Sequence, residues 1–155
     1  MQQTKFSFGA TSAIITNLGL IIGLRSGEHV KLGIIGGILV IALADNISDS
    51  IGIHIYQESE CIKPKEVWIS TFTNFMTRLI VSLVFVLLVA ILPIQAAVIC
   101  SLIWGLSLLS VLSYSIAKRE GISPYAAMLE HLAIALFVIV ASNFLGHFII
   151  HKFQL

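Results

Sequence analysis

Asp45 and Asp49 stand one helical turn apart inside a long apolar run, within Ala44-Asp45-Asn46-Ile47-Ser48-Asp49-Ser50. At i,i+4 spacing on a helix their carboxylates share one face, together with Ser48 and Gly52. A carboxylate at the centre of a bilayer costs about 2.5–3.5 kcal/mol on the insertion scale, so the pair must face a bundle interior or a wet cavity. The next apolar run carries Thr71, Asn74 and Arg78 at i, i+3 and i+7, on one stripe, with Arg78 near the depth of Asp45. One reading is an Asp45–Arg78 pair that clamps two helices together. That pair leaves Asp49 over, and an unpaired carboxylate in a polar pocket is what a cation or proton site requires. From the first apolar run Thr11, Ser12, Thr16 and Asn17 bring hydroxyls and an amide to comparable depth, while Asn46 and Ser48 flank the acids. These groups are either interhelical glue, worth about 0.6 kcal/mol each, or parts of an oxygen-rich pathway suited to hard divalent cations. A third reading makes Arg78 the counter-ion for an organic or anionic solute.

Weaker constellations lie near the ends of the apolar runs. His147 and His151 are four residues apart, a spacing that can ligate a transition metal or simply present two solvated histidines. Glu58, Glu60, Cys61 and Glu66 form a small acidic cluster, read as a cation attractor or as a solvated connector. His54, one turn beyond Ser50, and His131, beside Glu130, are candidates for proton relay or plain interfacial residues. His29 lies beside Glu28 in an outer loop. Cys61 falls in a loop and Cys100 within a helix, which argues against a disulfide. No nucleophile triad, phosphate-binding loop or zincin motif occurs, so the residues give no footing for an enzyme.

These side chains must be positioned by helices in a membrane. Of 155 residues 57% are hydrophobic and only 11% charged, with a mean hydropathy of +1.00, where a soluble domain is about 25% charged. Nine basic and eight acidic residues give a net charge of +1, so no global field points to nucleic acid. A span needs roughly 20 apolar residues. Five segments qualify, at about 6–24, 32–55, 68–92, 94–116 and 126–150, giving an all-α polytopic membrane protein with a single transmembrane domain. The longest connectors, near 56–67 and 117–125, have room for a turn or a short amphipathic helix. The first run is broken by polar residues and followed by no small-x-small site, so it is read as a retained helix, not a signal peptide. Lys5, Lys63, Lys65, Lys118 and Arg119 gather on one side against Arg25, Lys31 and Lys152 on the other. This places the N-terminus in the cytosol and the C-terminus outside. Tyr56, Trp68, Tyr114 and Tyr125 fall at the cytosolic helix ends, where an aromatic belt belongs. The lack of targeting signals suits a prokaryotic plasma membrane. Gly19-x-x-x-Gly23 and Gly33-x-x-Gly36-Gly37 allow close helix approach, and so small a bundle suggests a homodimer in the lipid bilayer.

Several short motifs carry a resemblance. They are Gly9-Ala-Thr-Ser12-Ala-Ile14 running on to Gly23-Leu24, Ser48-Asp49-Ser-Ile-Gly52 followed by Gln57-Glu58-Ser-Glu60, Leu92-Pro93, and Leu145-Gly146-His147. In these, and in helix count and order, the chain resembles the vacuolar iron transporter family. The resemblance implies a five-helix, homodimeric scaffold that exchanges Fe²⁺ or Mn²⁺ for protons, with no permanently bound cofactor. The chain also departs from the family. Ser12 stands where the family has a helix 1 aspartate, Asp49 where it has a helix 2 methionine, and Ile41 where it has an earlier acid. About a dozen residues replace its cytosolic metal-binding domain. A carboxylate moved from helix 1 to helix 2, with Asp45 added and the thioether lost, would shift preference toward hard cations, leaving Mn²⁺, Mg²⁺ and Fe²⁺ open.

Overall fold

The computed structural model describes residues 2–25 and 29–153, with side chains from residue 9 onward. It contains five helices: α1 Gln2–Leu24, α2 Val30–Ser59, α3 Pro64–Ile91, α4 Ile94–Glu120 and α5 Pro124–Phe153. Proline at the first helical position starts α3 and α5, where its missing N–H is no loss. Pro93 stops α3 by holding Leu92 extended, at φ −88° and ψ 153°. Gly121, at φ 71°, ends α4 in the left-handed conformation that glycine adopts without strain. Lys118 and Arg119 in that last turn complement the helix dipole.

The helices outrun the expected apolar segments by about a turn. α2 continues to Ser59 and α3 begins at Pro64, so the connector expected over 56–67 shrinks to residues 60–63. Gln57, Glu58, Lys65 and Glu66 are good helix formers that stay helical beyond the apolar stretch. With such short connections successive helices run antiparallel. One end of the bundle, here the proximal end, carries connections 60–63 and 121–123; the distal end carries residue 29 and the 92–93 turn.

Four helices, α2 to α5, are long and apolar enough to cross a membrane, whereas the apolar part of α1, Gly9–Leu24, is shorter. Packing explains how α1 is tolerated. It touches all four other helices, which follow one another around it. Ala10, Ala13, Ile14, Asn17, Leu18, Ile21 and Ile22 are buried, and from residue 9 to residue 23 no side is exposed. The helix with the most broken apolar run is thus the one sheltered from lipid. Outside, Val40, Ile80, Ile103, Phe137 and Phe144 are exposed, as the surface of an integral membrane protein requires.

Gly19 and Gly23 do pack closely, against Val138, Ser142 and Gly146 of α5. In α2 the expectation holds only for Gly37, which meets Leu20; Gly33, Gly36 and Gly52 face open space within the chain. Those positions lie on the outer side of α2, away from α1 and α3.

Candidate functional site

The midpoint of α2 falls at Ala44–Asp45 and that of α3 at Thr77–Arg78, so the acids and the arginine meet near the centre of the bundle. Arg78 is 1% exposed and spends its donors on four oxygen atoms. Nε donates to Asn46 Oδ1 at 2.7 Å, Nη1 to Ser12 Oγ at 2.8 Å and to Asp49 Oδ2, and Nη2 to Asp45 Oδ2. The expected Asp45–Arg78 pair is present. The expectation of an unpaired Asp49 is corrected: Asp49 also binds Arg78. The reason is the shape of guanidinium, whose two terminal nitrogens fork and can each take one of two carboxylates spaced a turn apart. The acids keep their outer sides open, with Asp45 45% and Asp49 36% exposed. Two carboxylates against one guanidinium leave one negative charge.

Close approach of α1 completes the cluster. A Cβ on Gly9 would lie 2.6 Å from Asn74 Oδ1, 3.1 Å from Asn74 O and 3.2 Å from Arg78 Cγ, so α1 packs closely on α3 at the level where Ser12 reaches the arginine. From the cluster a ladder of polar contacts runs along the α2–α3 seam to the proximal end. Asn74 Nδ2 donates to Ser50 Oγ at 3.1 Å, His54 Nδ1 meets Thr71 Oγ1 at 2.9 Å, and Gln57 Nε2 donates to Ser70 Oγ at 2.8 Å. Asn46 Nδ2 and Asn74 Oδ1 are buried in this seam without a hydrogen-bond partner among the described residues. Toward the distal end the core turns apolar, with Ile34, Ile38, Phe85 and Val89 fully buried. The ladder of polar side-chain contacts therefore extends from the bundle centre toward the proximal end.

Other expected residues fall elsewhere. Asn17 is buried and donates to Ser82 Oγ at 2.9 Å and to its own helix at Ala13, one turn of α3 beyond Arg78, so it braces α1 on α3 and stays out of the cluster. Thr16 is half-buried and Ser48 exposed; Ser48 lies on the outer flank of α2 instead of the acidic face, because 3.6 residues per turn rotate it away from Asp45. Glu58 touches His54, Glu60 is exposed, and His147 and His151 are exposed on α5. Among the described residues no group of three His, Cys, Asp or Glu side chains gathers to hold a metal. Glu28 lies outside the described residues. The reading from sequence missed Ser50, Gln57 and Ser70 as seam residues and Ser82 as the partner of Asn17, though their i, i+3/i+4 relation to Asn46, His54, Asn74 and Arg78 carried the signal. A separate surface cavity of about 460 Å³ at the distal end is lined by Arg25, Ile94, Gln95, Val98 and Ile99 and contains none of these side chains.

In comparisons with known proteins the chain matches no family model, no curated protein and no solved structure.

Proposed function

We propose that the protein is a membrane carrier that exchanges a divalent cation, Fe²⁺ or Mn²⁺, for protons through the α2–α3 seam. The observation that carries this reading is the convergence of four oxygen atoms, from Asp45, Asp49, Asn46 and Ser12, on one cationic group. Arg78 fills that place at rest. If its head withdraws, the same oxygens offer a hard cation two carboxylates, an amide carbonyl and a hydroxyl, a donor set of the right kind and a charge that balances +2. With Arg78 in place the surplus negative charge suits one proton. Cation and proton then compete for one site, as exchange demands. The polar ladder supplies a route to the proximal end, and the apolar distal core closes the other side, the arrangement of a carrier open to one face at a time. The positive-inside bias favours a cytosolic proximal end, and the resemblance to vacuolar iron transporters implies this ion class.

The test is uptake of Fe²⁺ and Mn²⁺ into proteoliposomes under an imposed pH gradient. Asp49→Asn leaves the neutral Asp45–Arg78 pair intact, so the variant is expected to fold like wild type and to lose uptake by roughly tenfold or more. Undiminished uptake in Asp49→Asn sinks the reading. A second reading, a non-transporting scaffold clamped by Arg78, is favoured by the same forked contact, since Arg78 holds both acids. Folded wild-type protein that moves neither ion would establish it over the first.

The carrier is proposed to act as a homodimer through the outer face of α2. Gly36, Ala44, Ser48 and Gly52 form a shallow exposed strip there, bordered by the open sides of Asp45 and Asp49, which a second copy would shield from lipid. Gly36→Leu has free space within the monomer and is expected to abolish the dimer in native mass spectrometry without loss of thermal stability.

A further inference from the structure

α1 stops short of its neighbours at the distal end and leaves a recess there. Leu18 meets Gly105 of α4, and Gly23 meets Gly146 of α5. From Gly105 α4 runs eleven residues on to Ile94, whereas α1 runs six from Leu18 to Leu24. At 1.5 Å per residue α4 overhangs α1 by about 7 Å. α5 continues seven residues past Gly146 to Phe153, about 10 Å. The recess is the distal cavity of about 460 Å³, lined by Arg25, Ile94, Gln95, Val98 and Ile99. Its volume falls in the range of ligand pockets, about 300–1,000 Å³. A bilayer has about 30 Å of hydrocarbon within about 40–45 Å in all, so each headgroup layer is about 5–7 Å deep. α4, with 27 residues, is about 40 Å long and spans the whole thickness. Arg25, directly after Leu24, therefore lies near the boundary between headgroups and hydrocarbon.

The arginine is oriented but not neutralised. Nη2 donates to Asn143 Oδ1 of α5 at 2.9 Å, which uses one of five N–H donors. Among the described residues no carboxylate lies within ion-pair distance of Arg25. The distal halves of the helices hold Arg25, Lys31 and Lys152 and, among the described residues, no Asp or Glu. A cation at the edge of hydrocarbon is costly without an opposite charge, and this end of the bundle offers it none.

We propose that the recess binds one anionic phospholipid, its phosphate on the open side of Arg25 and an acyl chain over Ile99 and Ile103. The α4 wall argues for a lipid over a soluble anion. Val98 is buried, while Ile99 and Ile103, one turn apart on one face, are 58% and 63% exposed. A chain leaving the phosphate thus finds an apolar track that leads toward the bilayer centre. The charges select the headgroup. A zwitterionic lipid brings an ammonium that meets only cations at this end, whereas phosphatidylglycerol brings the phosphate alone. Gln95, about a turn nearer the surface, offers its amide to the headgroup hydroxyls. Bound there, the lipid replaces the missing end of α1 and braces it against α4 and α5. The site is independent of what passes through the α2–α3 seam.

The experiment is native mass spectrometry of the full chain with equal amounts of phosphatidylglycerol and phosphatidylcholine, paired with thermal unfolding in detergent as each lipid is added. Wild type is expected to retain phosphatidylglycerol in preference and to unfold at a higher temperature with it. Arg25→Met, which keeps a long apolar side chain, is expected to lower that preference about fivefold. Lys152→Met, at the same end but outside the recess, is expected to leave it unchanged. Ile99→Trp fills the recess from its lipid side and is expected to displace the retained lipid with Arg25 intact. Equal binding of the two lipids by wild type, or lipid retained in Ile99→Trp, would overturn the proposal. Equal losses in Arg25→Met and Lys152→Met would reduce it to a diffuse surface field. Inorganic phosphate that protects lipid-free protein as well as phosphatidylglycerol does would make the site one for a soluble anion and refute the lipid. Severalfold tighter phosphatidylglycerol binding by Glu28→Gln would put Glu28 on Arg25 in the lipid's place, and would refute it too.

Discussion

Replacing Arg78 with methionine is expected to destabilise the folded protein by about 3 kcal/mol, roughly a hundredfold in the folding equilibrium. The size follows from what stays behind. Asp45 and Asp49 would face each other one turn apart with no counter-charge, and Asn46 Oδ1 and Ser12 Oγ would lose their donor. The half-open sides of the acids keep the effect at the lower end of the range for breaking a buried ion pair. Arg78→Lys is expected to recover part of the loss, because an ammonium supplies the charge but cannot fork between two carboxylates while also serving the amide and the hydroxyl. The triple variant Arg78→Met with Asp45→Asn and Asp49→Asn removes all three charges and is expected to fold nearly as well as wild type, as neutral replacements of ion clusters do. Thermal unfolding in detergent, read by tryptophan fluorescence, checks the series. If Arg78→Met unfolds at the wild-type temperature, the arginine does not hold α2 on α3. The same variants separate stability from transport: a triple variant that folds but moves no cation shows the charges to be more than a clamp.

The parts of this arrangement that could be read from the chain are those set by one helix at a time. Apolar runs located the five helices, and Arg78 on a stripe with Thr71 and Asn74 pointed at the Asp45 face because helical periodicity alone fixes which side chains share a face. The fate of Asp49 was not readable in this way. It depends on how near α3 lies to α2 and on which way the guanidinium forks, and neither follows from the periodicity of one helix. The helices run about a turn past the apolar segments for a related reason, since hydropathy marks the apolar stretch and backbone hydrogen bonding continues past it. Polar residues of α1 divided in the same manner: Ser12 reaches Arg78, whereas Asn17, just over a turn further on, finds Ser82. Depth in the bundle was legible in both; the partner across the interface was not.

Gly146 tests the packing that the small residues imply, and its substitution is expected to be the costliest change outside the charged cluster. A Cβ there would collide with Gly23 O and stand 3.0 Å from Gly23 C. Those atoms are backbone, so no rotamer change can clear the space and α5 must move off α1. Moving it also opens the contacts of Gly19 with Val138 and Ser142. Because α5 buries so little of its own surface, with Ala135 and Gly146 as its buried residues, few other contacts can absorb the shift. Overpacking of this kind costs about 1–3 kcal/mol; Gly146→Ala is expected near the upper end, and Gly146→Leu to prevent accumulation of folded protein. Gly33→Ala, at a position with open space around it, serves as the control and is expected to leave the unfolding temperature unchanged. A Gly146→Ala protein as stable as Gly33→Ala would mean that α1 and α5 do not meet backbone to backbone. Since α1 also carries Ser12 and the close approach at Gly9, a displaced α1–α5 contact should be felt at Arg78. A partly folded Gly146→Ala protein is therefore expected to lose uptake further than its folded fraction accounts for, which ties packing at one end of the bundle to chemistry at its centre.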